Sequence, residues 1–516
     1  MTGQAKGNPG ASSKTNLKWK AINWNHHKGN VARLQVRIAK AAKEDRWGKV
    51  KSLQRMLTTS WSAKLLAVQR VTTNKGKNTP GIDGTIWKST KAKFKAVQAL
   101  IRHGYRAKPL RRVLIPKDMW KLRKLGIPTM HDRAMQALHA MALSPIAETF
   151  ADRHSYGFRP NRSVADAIEQ SHIVLSRKNS AMWVLEGDIK SCFDCISHQW
   201  LQDNIPMDKH VLSQWLNAGY IDKDVFHETR EGTPQGGIAS PILANMVLDG
   251  MQKVIAESVP KGSKVNFVRY ADDFICTGNS KEVLTDHVLP ALNTFLGERG
   301  LSLSKEKTHI THIHEGFDFL GFSLRKFKDK LVIRPKKEKV KEFLLRLKRI
   351  VRTLRFKKAA HVIPILNRML KGWANFYRAL GQREVFSTID HVMYQAIQRE
   401  LKRRHSKKNA KWINKTYFTS LRNYNWTFFG VETKGDKRRP HYLFQMSSRK
   451  MIPHIKIKSR CTPFDPDFGA YLRMRNAIQI TEKKRRRLRD FPTIAPWQKY
   501  PKGQLELFKV GLREQP

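Results

Sequence analysis

Apolar residues recur every three or four positions near the N-terminus, and this spacing predicts amphipathic helices. The repeat begins at about Val31 and comprises Val31, Leu34, Ile38 and Ala41, and then Trp47, Val50, Leu53 and Leu57. Residues with this spacing lie on one face of a helix. The turn-forming stretch Thr79 to Gly84 follows. It predicts a junction before the next domain.

Short apolar runs in the middle of the chain predict strands that alternate with helical segments. Arg111 to Ile115 and Met182 to Ile189 are two such runs. A third run, Val265 to Cys276, is interrupted by Tyr270-Ala271-Asp272-Asp273 and predicts a β-hairpin with two acids at its turn. The pattern therefore indicates the α+β class.

Three longer amphipathic repeats after about residue 331 predict a small helical bundle. They comprise Val340, Phe343, Leu344, Leu347, Val351 and Leu354, then Leu366, Met369, Leu370, Trp373, Phe376 and Tyr377, and then Phe386, Ile389, Val392, Met393 and Ile397. From about residue 431 the strand-like piece His441 to Gln445 and the basic run Lys483 to Arg487 occur without a period that predicts a fold.

The composition adds a strong positive charge to this pattern. The 516 residues exceed a single core and suggest several domains, and the formal net charge is +56 although 40% of the residues are hydrophobic. A folded polycation of this kind indicates a nucleic-acid partner. Because no apolar run reaches the roughly 18 residues of a membrane span, we expect no membrane partner.

Cysteine usage and the N-terminal composition bear on the compartment. Four cysteines in 516 residues do not form a disulfide framework, which indicates a reducing compartment. The first 43 residues contain no acid. This is typical of a nucleic-acid-binding arm and also resembles a transit peptide. We expect a bacterial cytoplasmic protein near the nucleoid and consider an organellar matrix the alternative.

The charge is distributed unevenly along the chain. Residues 1–180 contain 36 basic and 9 acidic side chains, residues 331–516 contain 46 and 13, and residues 181–330 contain 16 and 20. Basic flanks suit contact with a phosphate backbone, and an acidic centre suits divalent cations. This arrangement indicates metal-dependent chemistry on a polyphosphate.

Three acids in the central part are candidate metal ligands. Asp188 lies at the end of a predicted strand, and Asp272 and Asp273 lie at the predicted hairpin turn. Three carboxylates can hold two Mg²⁺ ions, which activate an attacking hydroxyl and stabilise a leaving pyrophosphate. An acidic pair at a turn is also typical of solvated turns. The Cys192-x-x-Cys195 spacing suggests zinc, but without a second ligand pair buried packing is the preferred interpretation.

The order of several motifs resembles that of reverse transcriptases. They are Gly187-Asp188-Ile189-Lys190-Ser191-Cys192-Phe193-Asp194, then Thr233-Pro234-Gln235-Gly236-Gly237, and then Tyr270-Ala271-Asp272-Asp273. Within that superfamily the chain resembles the group II intron-encoded reverse transcriptases that also act as maturases. This second resemblance rests on Gly81-Ile82-Asp83-Gly84, Leu125-Gly126-Ile127-Pro128-Thr129, Tyr156-Gly157-Phe158-Arg159-Pro160 and Gly316-Phe317-Asp318-Phe319-Leu320-Gly321-Phe322.

The resemblance implies roles for individual residues. Asp188, Asp272 and Asp273 match the catalytic, metal-binding trio, and Ile189 is a possible main-chain ligand. Phe193 matches the aromatic gate that excludes a ribonucleotide 2′-hydroxyl. Substrate contacts are implied for Lys117 and Arg123 at the nucleoside triphosphate, for Gln235 at the template–primer pair, and for Lys305 or Lys307 as a proton donor to pyrophosphate.

The resemblance also implies a right-hand polymerase fold with four domains. They are an N-terminal RNA-binding extension (1–80), fingers and a palm with an antiparallel sheet (81–330), an α-helical thumb or maturase domain (331–430) and a small basic DNA-binding domain (431–516). Within the thumb, Arg346, Arg349 and Arg352 are expected to bind RNA. No endonuclease motif with two cysteine pairs follows Cys461, so we expect that activity to be absent.

The sequence therefore predicts an RNA-directed DNA polymerase that is also a maturase. The expected partners are its own group II intron RNA, target DNA and deoxynucleoside triphosphates, and the expected cofactor is two Mg²⁺ ions. The expected activities are splicing and mobility by reverse splicing and target-primed reverse transcription. A catalytically unused splicing factor and a reverse transcriptase of a non-intron retroelement are the alternatives.

Overall fold

The structure is a computed structural model that describes residues 19–116, 122–222, 225–233, 236–378, 383–421, 424–434, 437–449 and 454–478. Helices and strands alternate along these ranges, which confirms the α+β class. The chain divides into two compact units, residues 1–465 and residues 466–516. The predicted residues Lys117, Gln235 and Lys483 to Arg487 lie outside the described ranges.

The elements of the first unit are numbered here in chain order. The helices are α1 (Trp24–Lys43), α2 (Trp47–Thr59), α3 (Trp61–Thr73), α4 (Thr90–Ala99), α5 (Met130–Phe150), α6 (Val164–Leu175), α7 (His198–Asn204), α8 (Lys209–Leu216), α9 (Ser240–Leu248), α10 (Met251–Ser258), α11 (Leu289–Gly297), α12 (Lys337–Val351), α13 (Ala359–Tyr377), α14 (Arg383–Arg404) and α15 (Ala410–Tyr417).

The strands are β1 (Leu110–Pro116), β2 (Leu122–Ile127), β3 (Trp183–Asp188), β4 (Tyr220–Asp222), β5 (Val225–His227), β6 (Phe267–Tyr270), β7 (Asp273–Gly278), β8 (His309–His312), β9 (Phe317–Phe319), β10 (Phe322–Phe327), β11 (Lys330–Pro335), β12 (Phe418–Leu421), β13 (Tyr424–Lys434) and β14 (Lys437–Tyr442).

The N-terminal helices form as the apolar spacing predicts, and the first begins seven residues earlier. The side chain of Asn23 accepts a hydrogen bond from the backbone N–H of His26 and caps α1. The first turns of α1 are polar, so no apolar period marks them. Val31, Ile38 and Leu57 are buried as expected.

Helix α5 lies at the centre of the largest core. It packs against α1, α2, α3 and α9, and 16 of its 21 residues are buried. A helix that is enclosed on all sides carries apolar residues all round. Because α1 and α3 share this core with α5, the predicted boundary at residue 80 does not separate two independently packed bodies.

A four-stranded antiparallel sheet carries the predicted central strands. Its order is β6-β7-β3-β8, and β3 pairs with both β7 and β8. Strands β6 and β7 form the predicted hairpin, with Ala271 and Asp272 as its two-residue turn. The strand that ends in Asp188 is therefore hydrogen-bonded to the strand that begins with Asp273.

Two more sheets flank this one along the chain. The first has the order β2-β1-β4-β5. The second has the order β11-β10-β9 and is antiparallel throughout. The predicted boundary between residues 330 and 331 falls inside β11, because the β10–β11 hairpin continues to Pro335 before α12 begins.

The three predicted helices of the bundle are α12, α13 and α14. Their contact includes the rings of Phe343 and Trp373, which stack with centroids 5.0 Å apart. Strand β13 packs on α13, where a Cβ atom added to Gly430 would lie 2.5 Å from the backbone N of Ala360. The predicted boundary between residues 430 and 431 thus divides a strand that belongs with the helices.

A short segment after β14 returns to α6. The backbone N–H of Ile457 and the ring of His454 both hydrogen-bond to Asp166 Oδ1, at 2.8 and 2.9 Å. Arg162 donates to the carbonyl of Ser459 at 2.7 Å. Residues 431–465 therefore belong to the first unit and not to a separate C-terminal domain.

In the second unit the described residues form a 3-10 turn, Pro466–Phe468, and a helical stretch at 469–478. Across all the described residues, no helix combines the length and the apolar character that spanning a membrane requires.

Candidate active site

The three predicted metal-binding acids lie together at one end of the four-stranded sheet. Asp188, the last residue of β3, is the register partner of Asp273, the first residue of β7. Asp272 precedes it in the hairpin turn, next to Ala271, which has a φ of 59°. Backbone pairing alone therefore brings together carboxylates that are more than 80 residues apart in sequence.

Crowding changes the electrostatics of these acids. Burial, and then the charges of Asp272 and Asp188, raise the pKa of Asp273 to about 7. Burial is also the main cause that raises the pKa of Asp272, and the charge of Asp188 adds to it. Burial and the neighbouring carboxylates both disfavour the charged forms of these acids, and a bound cation would favour them.

Lys307 is the cation that contacts this cluster. Its Nζ donates to Asp188 Oδ2 at 2.9 Å, and this hydrogen bond is the main reason that the pKa of Lys307 is raised. Lys305, the alternative at sequence level, is exposed and has no contact with the three acids in the described part of the chain. Of the two lysines, the structure brings Lys307 to the acids.

The donor set suits a hard divalent cation. All three side chains offer carboxylate oxygen, the ligand that Mg²⁺ prefers. Ile189 forms a bridge with Leu303 that is flanked by hydrogen bonds of Lys190 and Ser304, so its own peptide groups point away from Leu303. In the described residues no three acidic, His or Cys side chains are spaced as a complete metal centre, and the ammonium of Lys307 stands beside Asp188 as the counter-charge.

Two of the acids, Asp188 and Asp273, line a cleft of about 700 Å³ between the end of β3 and the turn before β9. Glu186 lines it two residues before Asp188 and accepts a hydrogen bond from the backbone N–H of Asp318 at 3.3 Å. Lys336 pairs with Asp318 at 2.8 Å on the same wall. The cleft therefore has an acidic floor and at least two lysines at its walls.

A buried arginine that the sequence analysis missed supports the hairpin from behind. Arg269 in β6 is fully buried and its guanidinium donates to Asp249 Oδ1 at 2.6 Å. It also donates to the carbonyl of Ala271, at 3.4 Å, and to Asn245 Oδ1, at 3.3 Å. Arg269 adjoins the acidic motif in sequence, but no spacing indicates that its side chain turns inward.

The Tyr156-Gly157 motif packs against the same turn. The backbone N–H of Tyr156 donates to the carbonyl of Arg269 at 2.9 Å, and Asn245 donates to the carbonyl of Gly157 at 2.8 Å. A Cβ atom on Gly157 would lie 2.3 Å from the backbone N of Ala271, so only glycine permits this approach. The motif therefore helps to fix the position of Asp272.

Phe193 lies on the loop after β3, five residues after Asp188, and is half-buried. Its ring meets that of Phe158 edge to face, with centroids 6.3 Å apart. Its carbonyl accepts a hydrogen bond from the backbone N–H of Thr233 at 2.6 Å, which joins this loop to the one that leads to Gln235. The nearby Cys192 is buried, and burial raises the pKa of its thiol to about 12, so it remains a neutral thiol.

Three family models match the chain. The model of the reverse transcriptase (RNA-dependent DNA polymerase) covers residues 115–324, and that of the N-terminal domain of reverse transcriptase covers residues 19–100. The model of the maturase-specific domain of group II introns covers residues 340–418. The chain belongs to the group II intron-encoded reverse transcriptases. By class it is an RNA-directed DNA polymerase, and it also carries the maturase-specific domain.

Two individual proteins are similar in sequence to this reverse transcriptase. Protein YkfC of Escherichia coli is 32% identical over 57% of this chain and 88% of its own length. The group II intron-encoded protein LtrA of Lactococcus lactis is 30% identical over 50% of this chain. The chain spans about half of LtrA, namely 54% of its length.

Among solved structures, telomerase from Candida albicans in a complex with a fragment of telomeric RNA is 12% identical, with a TM-score of 0.35. The match covers 60% of this chain and 64% of that one. A likeness this weak does not establish a shared fold. The right-hand polymerase fold expected for this chain rests instead on the matched reverse transcriptase domain.

The remaining predicted residues of the reverse transcriptase lie on separate elements. Arg123 is exposed on β2, and its charge opposes the rise in the pKa of Asp272, so it lies within electrostatic reach of the acids. Arg346, Arg349 and Arg352 are exposed along α12 and its end, on the side away from buried Leu347. They are far from the acids in sequence and form a separate basic surface.

We predict that Arg269 positions the acidic turn. Substitution Arg269→Met removes the donor to Ala271 and leaves Asp249 buried without its partner, which costs about 3–5 kcal/mol of unfolding free energy. It should also raise the metal concentration needed for half-maximal primer extension, and Arg269→Lys should restore part of this.

The matched control is Arg159→Met. Arg159 is also buried and paired, with Glu148 at 2.8 Å, but it does not contact the hairpin turn. Thermal unfolding and metal titration are measured for all three variants. A metal requirement that rises equally in the Arg159 variant would show that lost stability alone explains the effect.

Proposed function

We propose that this reverse transcriptase copies RNA into DNA with two Mg²⁺ ions, promotes splicing of its own group II intron RNA, and serves intron mobility as a ribonucleoprotein. Mobility would proceed by reverse splicing into target DNA and target-primed reverse transcription. The observation that carries this proposal is that Asp188, Asp272 and Asp273 converge near Lys307, at an acidic cleft lined by Asp188 and Asp273, in a chain whose net charge is +56.

The proposal assigns the metal ions to the acidic trio. Asp188, Asp272 and Asp273, with the main chain of Ile189, would hold both ions. When bound, the ions would activate the primer hydroxyl and neutralise charge on the phosphates. Burial, and then the charges of Asp272 and Asp188, raise the pKa of Asp273, and a cation in the cleft would favour its charged form.

Other residues would bind the substrates. Arg123 and Lys117 would grip the incoming deoxynucleoside triphosphate, and Gln235 would lie against the template–primer pair. The ring of Phe193 would oppose the sugar. The contact of Lys307 Nζ with Asp188 Oδ2, at 2.9 Å, supports Lys307 over Lys305 as the proton donor to pyrophosphate.

The division of labour along the chain is also part of the proposal. The N-terminal helices and the bundle α12–α14 would bind intron RNA, and basic residues after position 465 would bind target DNA. The domain limits proposed from the sequence shift to about 336 at the start of the bundle, where β11 ends. Since both substrates are nucleic acids, we also propose a cytoplasmic, nucleoid-associated location in a bacterium.

We predict that Asp272→Ala abolishes DNA synthesis on an RNA template and leaves RNA affinity nearly normal. The acids serve the chemistry, and the basic surfaces supply the binding energy. Primer extension and filter binding measure the two quantities. Asp329→Ala, an exposed acid outside the cleft, is the control. Extension that persists in the Asp272 variant would contradict the proposed catalytic role.

Substitution of Phe193 tests sugar discrimination. Phe193→Ala removes a ring that opposes the 2′-hydroxyl, so the ratio of ribonucleotide to deoxyribonucleotide incorporation should rise. Phe158→Ala removes only the neighbouring ring and serves as the control. An unchanged ratio in the Phe193 variant would leave Phe193 as a packing residue.

Splicing should depend on the basic surface of α12 and not on the acids. Charge reversal at Arg346, Arg349 and Arg352 should raise the protein concentration needed for splicing at low Mg²⁺, whereas Asp272→Ala should splice normally. Charge reversal at Lys261, Lys281 and Lys330 is the matched control, because these side chains are also exposed and lie outside the helices that are proposed to bind RNA. Equal effects of both triple variants would indicate a general charge effect.

A further inference from the structure

A second cleft lies far from the acids in sequence, at the junction of α15 with β12 and β13. Its volume is about 640 Å³, and it is lined by both apolar and basic side chains. Lys411, Asn414 and Lys415 occupy positions i, i+3 and i+4 of α15 and therefore share one helix face. None of the described residues that line it carries a carboxylate.

The strand side of this cleft ends in an exposed tryptophan. Phe418 in β12 pairs with Phe428 in β13, and Trp426 lies two residues before Phe428 on the same face of the sheet. Tyr394 and Tyr417 cover the Phe418 and Phe428 rings, respectively. Neither tyrosine covers Trp426, whose side chain is 54% exposed. No ring in the described part of the chain stacks on it.

The strand pairing explains why the cleft is open at this point. The register of β12 against β13 shifts between Thr419 and Leu421, where Asn425 and Trp426 of β13 lie opposite the single residue Ser420 of β12. A bulge bends the strand and leaves groups unpaired with its neighbour. Asn425 and Ser420 therefore offer polar groups next to the Trp426 ring.

We propose that this cleft binds an unpaired base of single-stranded RNA, with Trp426 as the stacking surface and Lys411 and Lys415 as contacts to the flanking phosphates. An exposed aromatic ring in the same cleft as two cations is what a splayed-out base requires, and a base inside a duplex cannot reach it. Asn414 and Ser420 supply hydrogen-bonding groups for a base edge or a 2′-hydroxyl.

The inference rests on the proposed function, because it assigns part of the intron RNA contact to a site separate from the α12 arginines. It has its own experiment. Full-length protein is first saturated with a template–primer duplex, so that the catalytic cleft is occupied. Binding of a short single-stranded RNA is then measured and compared with that of the corresponding RNA duplex, the same DNA sequence and an acidic peptide.

We expect Trp426→Ala to weaken single-stranded RNA binding by roughly tenfold, as loss of one stacked base does, and Trp426→Phe to retain most of the affinity. Charge reversal at Lys411 and Lys415 should lower the salt dependence by about the contribution of two phosphates. Charge reversal at the exposed Lys261 and Lys281, which lie outside both the cleft and the bundle α12–α14, is the matched control. RNA with 5-iodouridine should cross-link within residues 411–426.

Several results would overturn the inference. They are unchanged RNA affinity of Trp426→Ala, equal effects of the two lysine pairs, a cross-link elsewhere only, and equal or better competition by DNA or by the acidic peptide. Primer extension should be normal in the Trp426 variants. If Asp272→Ala still extended primers, the proposed function would fail while the result at Trp426 would stand by itself.

Discussion

Like charges held close together are the constraint around which this active site is organised. Asp188, Asp272 and Asp273 repel one another in a partly buried position, and such an arrangement is stable only if cations and rigid packing oppose the repulsion. The ammonium group of Lys307 supplies a positive charge next to Asp188. The buried guanidinium of Arg269 donates to the carbonyl of Ala271 in the turn. The backbone of Gly157 packs directly against Ala271 and limits its movement.

The unequal charge along the chain follows from the same constraint. A centre that must attract metal ions is acidic, whereas surfaces that must hold a nucleic-acid backbone are basic, and the two cannot share a surface without cancelling each other. The chain separates them onto different elements. The acids lie at the ends of β3 and β7, and the exposed arginines lie along α12.

Much of this organisation could be predicted from the sequence, because regular periodicity reports burial. The apolar repeats of α12 to α14 and the hairpin that carries Asp272 are examples. Periodicity does not report the direction in which a single side chain points. The roles of Arg269 and Trp426 were missed for this reason. The start of α1 was missed because its cap is polar, and the boundaries at 331 and 430 were displaced because strand pairing in β11 and β13 continues past the change in composition.

The return of residues 454–457 to Asp166 has a mechanical consequence. The chain leaves the four-stranded sheet at β8, runs through the helical bundle, and is fastened again to α6 beside that sheet. The bundle is therefore attached at two places, at the chain segment that precedes it and at the hydrogen bonds to Asp166 that follow it. A displacement of the bundle from the sheet therefore acts on two attachments, the chain that leaves β8 and the hydrogen bonds of His454 and Ile457 to Asp166.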